Sequence, residues 1–277
     1  MGLLRLFRPE LPFSAGICTV LGEILAAGGV PGVRDLVVGF FSYFFLSSAA
    51  LILNDLFDIE TDRVNAPHRP LPSGQVTPGQ VIVLSVVVTV LGITLSACAG
   101  PVAFALAISV WLLGVAYNWR LKRYGLLGNL VVSLSVGSTF IFGGVVVGRP
   151  WDPIVLWFGG LAFLLDLGEE IAADAMDVRG DALAGSRSLA IVWGQRAALI
   201  VSAVIFGLVI IVSMIPFAAG WLLPYYAIPL AGMDLVIAYA TVRLLISRTE
   251  RRRTYIRWIY LGATAAILIM IVMRIAG

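Results

Sequence analysis

Nine residues in the first quarter of the chain carry an unusual concentration of oxygen-bearing side chains. The stretch from Asn54 to Asp62 reads NDLFDIETD, and it ends an apolar run that is long enough to enter a membrane. On one helix, at about 100° per residue, Asn54, Asp58 and Asp62 advance only about 80° around the axis, and Asp55 lies about 20° beyond that arc. Carboxylates on one face repel one another and resist burial unless a cation joins them. The stretch therefore predicts half of a metal or anion site.

A second acidic stretch, DLGEEIAADAMDVRGD, runs from Asp166 to Asp181 at the end of another apolar run. On one helix, four of its carboxylates fall within about 60° of one another: Glu170, Asp174, Asp177 and Asp181. Mg²⁺ suits such a set of ligands, because it takes oxygen ligands and is usually completed by water and substrate phosphates. Zinc is disfavoured in a chain with one histidine and two cysteines in apolar helices. Two acidic stripes around Mg²⁺ predict a diphosphate held between them.

Basic residues that could bind such a diphosphate follow the first stretch and a later apolar run. Arg63 and Arg69 lie in the proline-stiffened segment RVNAPHRPLPSG, and YNWRLKRYG holds Lys122 and Arg123. Arginine and lysine bind phosphate oxygens and stabilise a departing diphosphate. Further candidates for the site are Asp55, Arg8, Tyr117, Asn118, Glu170 and His68. The alternative is that the carboxylates are solvated helix ends and that the basic residues only set the membrane topology.

Composition places these residues on membrane helices. Of 277 residues, 60% are hydrophobic and 13% are charged, and the mean hydropathy is +0.99. Apolar runs recur along the whole chain without a long polar linker, which predicts one integral-membrane domain over residues 1–277 and no nucleic-acid partner. Nine transmembrane helices are predicted at 11–30, 36–54, 79–99, 102–119, 125–147, 153–176, 195–219, 221–243 and 254–275. The fold class is therefore predicted to be an all-α, polytopic bundle.

The basic residues also predict how the bundle is oriented. With the N-terminus inside, sixteen of the 19 basic residues fall on cytoplasmic segments, and only Arg34, Arg149 and Arg274 fall outside. Both acidic stretches then end helices on the cytoplasmic side of the cell membrane. The run RTERRR at 248–253 is interpreted as a topology and lipid-headgroup determinant. Gly137, Gly143 and Gly144 are expected to let helices approach closely or to leave room for a lipid chain.

Both acidic stretches resemble the signatures of a known family. NDLFDIETDRVNAPHRPLPSG resembles the NDxxDxxxD motif of the UbiA superfamily of intramembrane prenyltransferases, and DAMDVRGD is similar to its DxxDxxxD motif. The resemblance implies a helical bundle around a central cavity. It also implies Mg²⁺-bridged binding of a prenyl diphosphate and transfer of the prenyl group to a lipophilic acceptor. The metal ligands that it implies are Asn54, Asp58, Asp62, Asp174, Asp177 and Asp181.

Within the superfamily the chain most resembles the archaeal digeranylgeranylglyceryl phosphate synthases, although Glu169 stands where they often have an arginine. That resemblance implies transfer of geranylgeranyl from its diphosphate to geranylgeranylglyceryl phosphate in archaeal ether-lipid synthesis. One alternative is an enzyme with an aromatic acceptor, of the 4-hydroxybenzoate or naphthoate type. A more distant alternative is a cation-coupled transporter, which would place its carboxylates nearer the bilayer midplane. The acceptor, the prenyl chain length and the oligomeric state stay open at this point.

Overall fold

The structure, a computed structural model, describes residues 2–183, 185–247 and 249–276, and all regular structure in these ranges is helical. Arg248, which the topology prediction counted, lies outside these residues. The α-helices are α1 (Gly2–Leu6), α2 (Glu10–Ala27), α3 (Val33–Phe57), α4 (Ile59–Asn65), α5 (Pro78–Cys98), α6 (Pro101–Trp119), α7 (Leu126–Val146), α8 (Pro153–Leu183), α9 (Leu189–Val192), α10 (Gln195–Val212), α11 (Ile215–Ala218), α12 (Ala227–Ile246) and α13 (Thr249–Ala276).

Eight helical segments in the described part of the chain are long and apolar enough to cross a membrane. They correspond to eight of the nine predicted spans and begin and end within a few residues of them, apart from the ends flanking the turn at 219–226 and the start of α13. The ninth prediction, 153–176, falls on α8, which has 31 residues. The apolar first half of α8 meets three carboxylates between Asp166 and Glu170, which makes it more polar than the others. The predicted all-helical membrane fold is confirmed, and the count of nine crossings stays a prediction.

Glycines set the spacing of the central helices. A Cβ atom on Gly143 would lie 2.3 Å from the Thr19 carbonyl oxygen, so α7 and α2 touch through their backbones. A Cβ atom on Gly137 would likewise lie 2.6 Å from the Gly159 carbonyl oxygen of α8. Small residues allow this approach in a membrane, where helices associate by packing and interhelical hydrogen bonds. The expectation of close helix contact along α7 is therefore confirmed.

An apolar cavity of about 380 Å³ lies between the helices. Its wall comes from α2, α3, α6, α7, α8, α10, α12 and α13, and includes Phe140, Phe158 and Met270. The same wall includes three carboxyl groups of the second acidic stretch, those of Asp166, Glu169 and Glu170. The cavity thus connects a hydrocarbon-like interior with one of the two acidic stretches.

Candidate active site

The first acidic stretch lies on two helices rather than on one, which corrects the single helix assumed from the sequence. Helix α3 ends at Phe57 and α4 begins at Ile59, with Asp58 between them at φ −95° and ψ 7°. Helical hydrogen bonds nevertheless continue through the junction, because the Asp58 amide donates to the Asn54 carbonyl at 2.9 Å and the Asp62 amide to Asp58 at 2.7 Å. The predicted stripe is therefore retained, while the chain bends where it leaves the apolar span.

Three aspartates of the first stretch are buried, and each one is paired with a cation. Asp55 is 1% exposed and forms an ion pair with Arg8. Asp58 pairs with Lys122, and Asp62 accepts hydrogen bonds from Arg69. Asn54 is partly buried beside them. Because a buried charge is tolerated only when it is paired, these cations are part of the site.

Arg69 is fixed by a loop that is anchored in a hydrophobic cluster. Its Nη1 atom lies 2.6 and 2.5 Å from the two carboxylate oxygens of Asp62, and 3.7 Å from Asp55 Oδ1. Leu71 and Val76 of the same loop are buried against α3 and α5. Burial by itself would lower the pKa of Arg69, but the hydrogen bond that it donates to Asp62 and the nearby aspartate charges raise the pKa above its usual value. Arg69 is therefore a permanent positive charge in the site.

Lys122 reaches the site from a short 3-10 helix between α6 and α7, Leu121–Tyr124. Gly125 ends this helix at φ 56°, a conformation that favours glycine, and a Cβ atom there would lie 2.1 Å from the Arg187 carbonyl oxygen. Burial raises the pKa of Asp58, and the Lys122 ammonium opposes that rise. The charge of Lys122 also acts on Asp174 and on Asp181 of the second stretch. Lys122 therefore pairs with the first acidic stretch and lies within electrostatic range of the second.

Arg8 occupies the turn between α1 and α2 in a strained backbone conformation. Its φ is 40°, which makes it the one non-glycine residue with a positive φ among the described residues. The preceding Leu6 is completely buried in the same cluster as Leu71. Packing of α1 thus fixes the turn and directs the Arg8 guanidinium to Asp55. Such strain persists only where the surrounding structure over-determines it, and it is frequent at functional sites.

The second acidic stretch lies on the unbroken helix α8, as predicted. Asp174 Oδ2 accepts a hydrogen bond from Asn129 Nδ2 at 3.0 Å, and Asp166 Oδ2 accepts one from Ser133 Oγ at 2.9 Å. Asp177 pairs with Arg253 at the start of α13. None of these three partners is predicted as a site residue from the sequence. Asn129 and Ser133, four residues apart and polar within an apolar helix, could have been found by their spacing.

The two acidic stretches face one another across a close contact between α4 and α8. A Cβ atom on Gly180 would lie 2.2 Å from Asn65 Nδ2, so the glycine lets α4 approach α8. Asp181 lies beyond the predicted span 153–176. Burial raises the pKa of Asp181 to about 7, and the charges of Asp174, Asp177 and Asp58 contribute to the rise. Carboxylates from both stretches therefore share one electrostatic environment.

The remaining sequence-predicted residues divide into two groups. Glu170 lines the cavity, and Tyr117 near the C-terminal end of α6 lies within electrostatic range of Asp58 and Asp174. Arg63 pairs instead with Glu60 at 2.7 Å on the surface, where their side chains are 58% and 77% exposed. The side chains of His68 and Arg123 are exposed as well. The structure therefore does not bring these last three residues to the aspartates.

The chemistry of the site fits a magnesium ion that is completed by phosphate. Among the described residues, no three acidic, histidine or cysteine side chains converge to hold a metal ion by themselves. Buried oxygens with no hydrogen-bond partner are nevertheless available at Asp55 Oδ2 and at Asn118 Oδ1. Mg²⁺ accepts such oxygen ligands and usually keeps water or phosphate in its other positions. Together with Arg69 and Lys122, this arrangement can bind a polyphosphate at the polar end of an apolar cavity.

The chain is similar to known proteins over most of its length. A model of the UbiA prenyltransferase family matches residues 15–262. The digeranylgeranylglyceryl phosphate synthase of Pyrococcus horikoshii is 33% identical over 243 residues, which cover 88% of this chain and 86% of that protein. The synthase of Thermococcus kodakarensis is 34% identical over 251 residues, which cover 91% of this chain and 88% of its own.

Solved structures share the fold over nearly the whole chain. One solved structure comes from a study of digeranylgeranylglyceryl phosphate synthase in membranes. It matches this chain with a TM-score of 0.75 and 28% sequence identity, and the match covers 99% of this chain and 98% of the solved chain. A UbiA homologue from Aeropyrum pernix K1 has a TM-score of 0.82 at 19% identity and covers 99% of both chains. A homologue from Archaeoglobus fulgidus bound to DMAPP and Mg²⁺ has a TM-score of 0.70 at 15% identity, with 97% and 98% coverage. The chain therefore belongs to the UbiA prenyltransferase family and is a multi-pass membrane protein.

Proposed function

We propose that this protein transfers a geranylgeranyl group from its diphosphate to geranylgeranylglyceryl phosphate and so forms digeranylgeranylglyceryl phosphate, an archaeal ether lipid. The observation that carries the proposal is the position of Lys122, which pairs with Asp58 and acts on the carboxylates of the second stretch beside the apolar cavity. A prenyl diphosphate matches both features, because its polyanionic diphosphate suits the cation and its long hydrocarbon suits the apolar cavity. The relatives named above carry the name of this synthase.

The diphosphate would bind between the two acidic stretches. Asn54, Asp58 and Asp62 would hold Mg²⁺ on one side, and Asp174, Asp177 and Asp181 on the other, with Asp55 beside the first set. Mg²⁺, when bound, supplies positive charge that stabilises the departing diphosphate. Arg69 and Lys122 would donate hydrogen bonds to the diphosphate oxygens and add positive charge beside them. Arg8 would hold Asp55 in place.

The hydrocarbon tail would lie in the apolar cavity, with the reactive carbon at the boundary between the cavity and the carboxylates. Breaking the allylic carbon–oxygen bond releases diphosphate and places positive charge on that carbon. A hydroxyl oxygen of the acceptor would then form the new bond, and its proton would pass to a carboxylate of the second acidic stretch. Water must be excluded, because it would compete for the developing cation. The apolar wall around Phe140 and Phe158 would provide that exclusion.

The site would open to the cytoplasm, and the protein would act as one domain in the cell membrane. The distribution of basic residues supports this orientation, because the segments that carry Lys122 and Arg69 are then on the inner side. The phosphate of the acceptor lipid would lie at this mouth, where Arg253 offers an exposed guanidinium beside Asp177.

The experiment is an acceptor screen with the protein purified into lipid nanodiscs. Radiolabelled geranylgeranyl diphosphate and Mg²⁺ are incubated with geranylgeranylglyceryl phosphate, 4-hydroxybenzoate or a dihydroxynaphthoate, and the lipid product is separated and identified. The proposal expects a diether product with the glycerol lipid and release of diphosphate in equal amount. Product with an aromatic acceptor alone would contradict the proposed acceptor but not the prenyl transfer. A protein that moves cations across liposomes and forms no product would contradict both.

A further inference from the structure

One carboxyl group in the cavity wall has no place in the diphosphate site. Glu169 lines the cavity on the face of α8 that also carries Ala162, Leu165 and Asp166, as residues three and four apart on a helix must. The metal-binding candidates of α8 begin with Asp174, about 140° around the helix axis from Glu169. Glu169 therefore lies where the apolar wall of the cavity passes into the acidic stretch.

The Glu169 carboxyl has a buried oxygen whose hydrogen-bonding capacity is not satisfied by the protein. Its Oε1 atom is buried and has no hydrogen-bond partner, and Glu169 forms no ion pair among the described residues. Leaving a buried polar oxygen without a partner is unfavourable, so such an atom needs an explanation. The other polar side chains of the cavity include the hydroxyls of Ser14, Thr264 and Tyr260. Ser14 and Thr264 are hydrogen-bonded to each other at 3.1 Å, and Tyr260 donates to the Glu10 carbonyl at 2.5 Å.

The chemistry of this position selects one class of ligand. Hydrocarbon would leave the Glu169 oxygen without a partner, and a phosphate would be repelled by the carboxylates of Asp166 and Glu170 around it. A hydroxyl group satisfies the oxygen, because it donates one hydrogen bond and carries no charge. The position is also the right one for a reacting hydroxyl, since the carbon that loses its diphosphate must lie at the same boundary.

We propose that Glu169 binds the nucleophilic hydroxyl of the acceptor lipid and orients its oxygen toward the reactive carbon. The inference rests on the proposed function and adds to it the residue that recognises the hydroxyl. It also orients the acceptor, whose phosphate stays with the cytoplasmic arginines while the hydroxyl enters the cavity.

The first test is kinetic and uses Glu169→Met and Glu169→Gln in nanodiscs. Methionine keeps the length of the side chain and removes the hydrogen-bonding oxygens, whereas glutamine keeps one carbonyl oxygen. We expect Glu169→Met to raise the KM for geranylgeranylglyceryl phosphate about tenfold, the size of one well-placed hydrogen bond. Glu169→Gln should restore it to within about threefold of the wild-type value, and the KM for geranylgeranyl diphosphate should stay unchanged in both variants. An unchanged acceptor KM in Glu169→Met would overturn the inference.

A matched control is available in the same fold. Glu23 on α2 is also buried with both carboxylate oxygens unpartnered, but it does not line the cavity. Glu23→Met makes the same chemical change in a similar apolar setting. It should leave the KM of the acceptor at the wild-type value. An equal rise in Glu23→Met and Glu169→Met would show a general structural effect and would contradict the inference.

The second test measures binding without catalysis. Isothermal calorimetry compares two probes: geranylgeranylglyceryl phosphate and the methyl ether made at its free hydroxyl. The methyl ether keeps the oxygen but has no hydrogen to donate. The wild-type protein should prefer the free hydroxyl about tenfold, and Glu169→Met should bind both probes equally. Equal binding by the wild-type protein would contradict the inference even if transfer is observed. Failure of transfer with a preserved preference would instead contradict the proposed function alone.

Discussion

The ammonium of Lys122 forms an ion pair with Asp58 at the junction of α3 and α4, although the two residues are 64 positions apart. Asp58 lies at the bend of the first acidic stretch, and Lys122 lies on the 3-10 helix that follows α6. The same ammonium acts on Asp174 and Asp181 of α8. One cation therefore pairs with the first stretch and lies within electrostatic range of the second, although the sequence presents the two stretches separately.

Asp58→Asn should lower Mg²⁺-dependent prenyl transfer at least about a hundredfold, because the side chain loses the charge that would hold the metal. Asp177→Ala should have the same effect from the second stretch. Labelled product formation is the measurement, with membrane insertion checked by protease accessibility. Glu60→Gln, an exposed carboxylate of the same segment, is the control and should keep full activity. Full activity of Asp58→Asn would refute the assignment of the site.

Substitutions of Arg69 and Arg63 should have different effects on activity, although both arginines lie in the segment RVNAPHRPLPSG. Arg69→Ala removes the partner of the buried Asp62, so we expect a loss of activity of about a hundredfold and a lower Tm. Arg63→Ala breaks only an exposed pair with Glu60, which contributes about 1 kcal/mol or less. Its kinetics should stay within about twofold of the wild type. Equal losses in the two variants would contradict the structural distinction.

Asn129 should support magnesium binding through Asp174. Its amide donates to Asp174 Oδ2 at 3.0 Å, so Asn129→Ala should raise the Mg²⁺ concentration for half-maximal activity about tenfold. This Mg²⁺ concentration should differ between Asn129→Asp and Asn129→Ala, because the aspartate places a second carboxylate against that of Asp174. A titration of activity against Mg²⁺ at saturating substrate measures both. The hypothesis would fail if the Mg²⁺ dependence of both variants matched the wild type.

Gly143 should be essential for the contact between α7 and α2. An alanine Cβ would lie 2.3 Å from the Thr19 carbonyl, so Gly143→Ala must push the helices apart and should lower Tm by several degrees. Gly160→Ala on α8 is the matched control, because no atom lies within 4 Å of its Cβ position. That change should be neutral or stabilising by about 0.5–1 kcal/mol, since alanine favours helices over glycine. Equal Tm values for the two variants would contradict the packing described above.

The sequence alone determined the membrane character, the approximate helix boundaries and the two acidic stripes. Hydrophobic runs and helical spacing are local properties, and a membrane allows few structures other than helices. The periodic spacing of Asp174, Asp177 and Asp181 was therefore enough to place them on one face of α8. For the same reason Asn54, Asp58 and Asp62 could be assigned to one stripe before the junction of α3 and α4 at Asp58 was known.

Only the tertiary structure decided which side chains meet across these stripes. Arg69 and Arg63, or Lys122 and Arg123, are chemically similar neighbours in the chain, and only long-range packing directs one of each pair inward. The buried Leu71 and the positive φ of Gly125 are what set those directions. The position of Glu169 in the cavity wall likewise depends on helices that are far apart in the sequence, because a cavity belongs to no single segment.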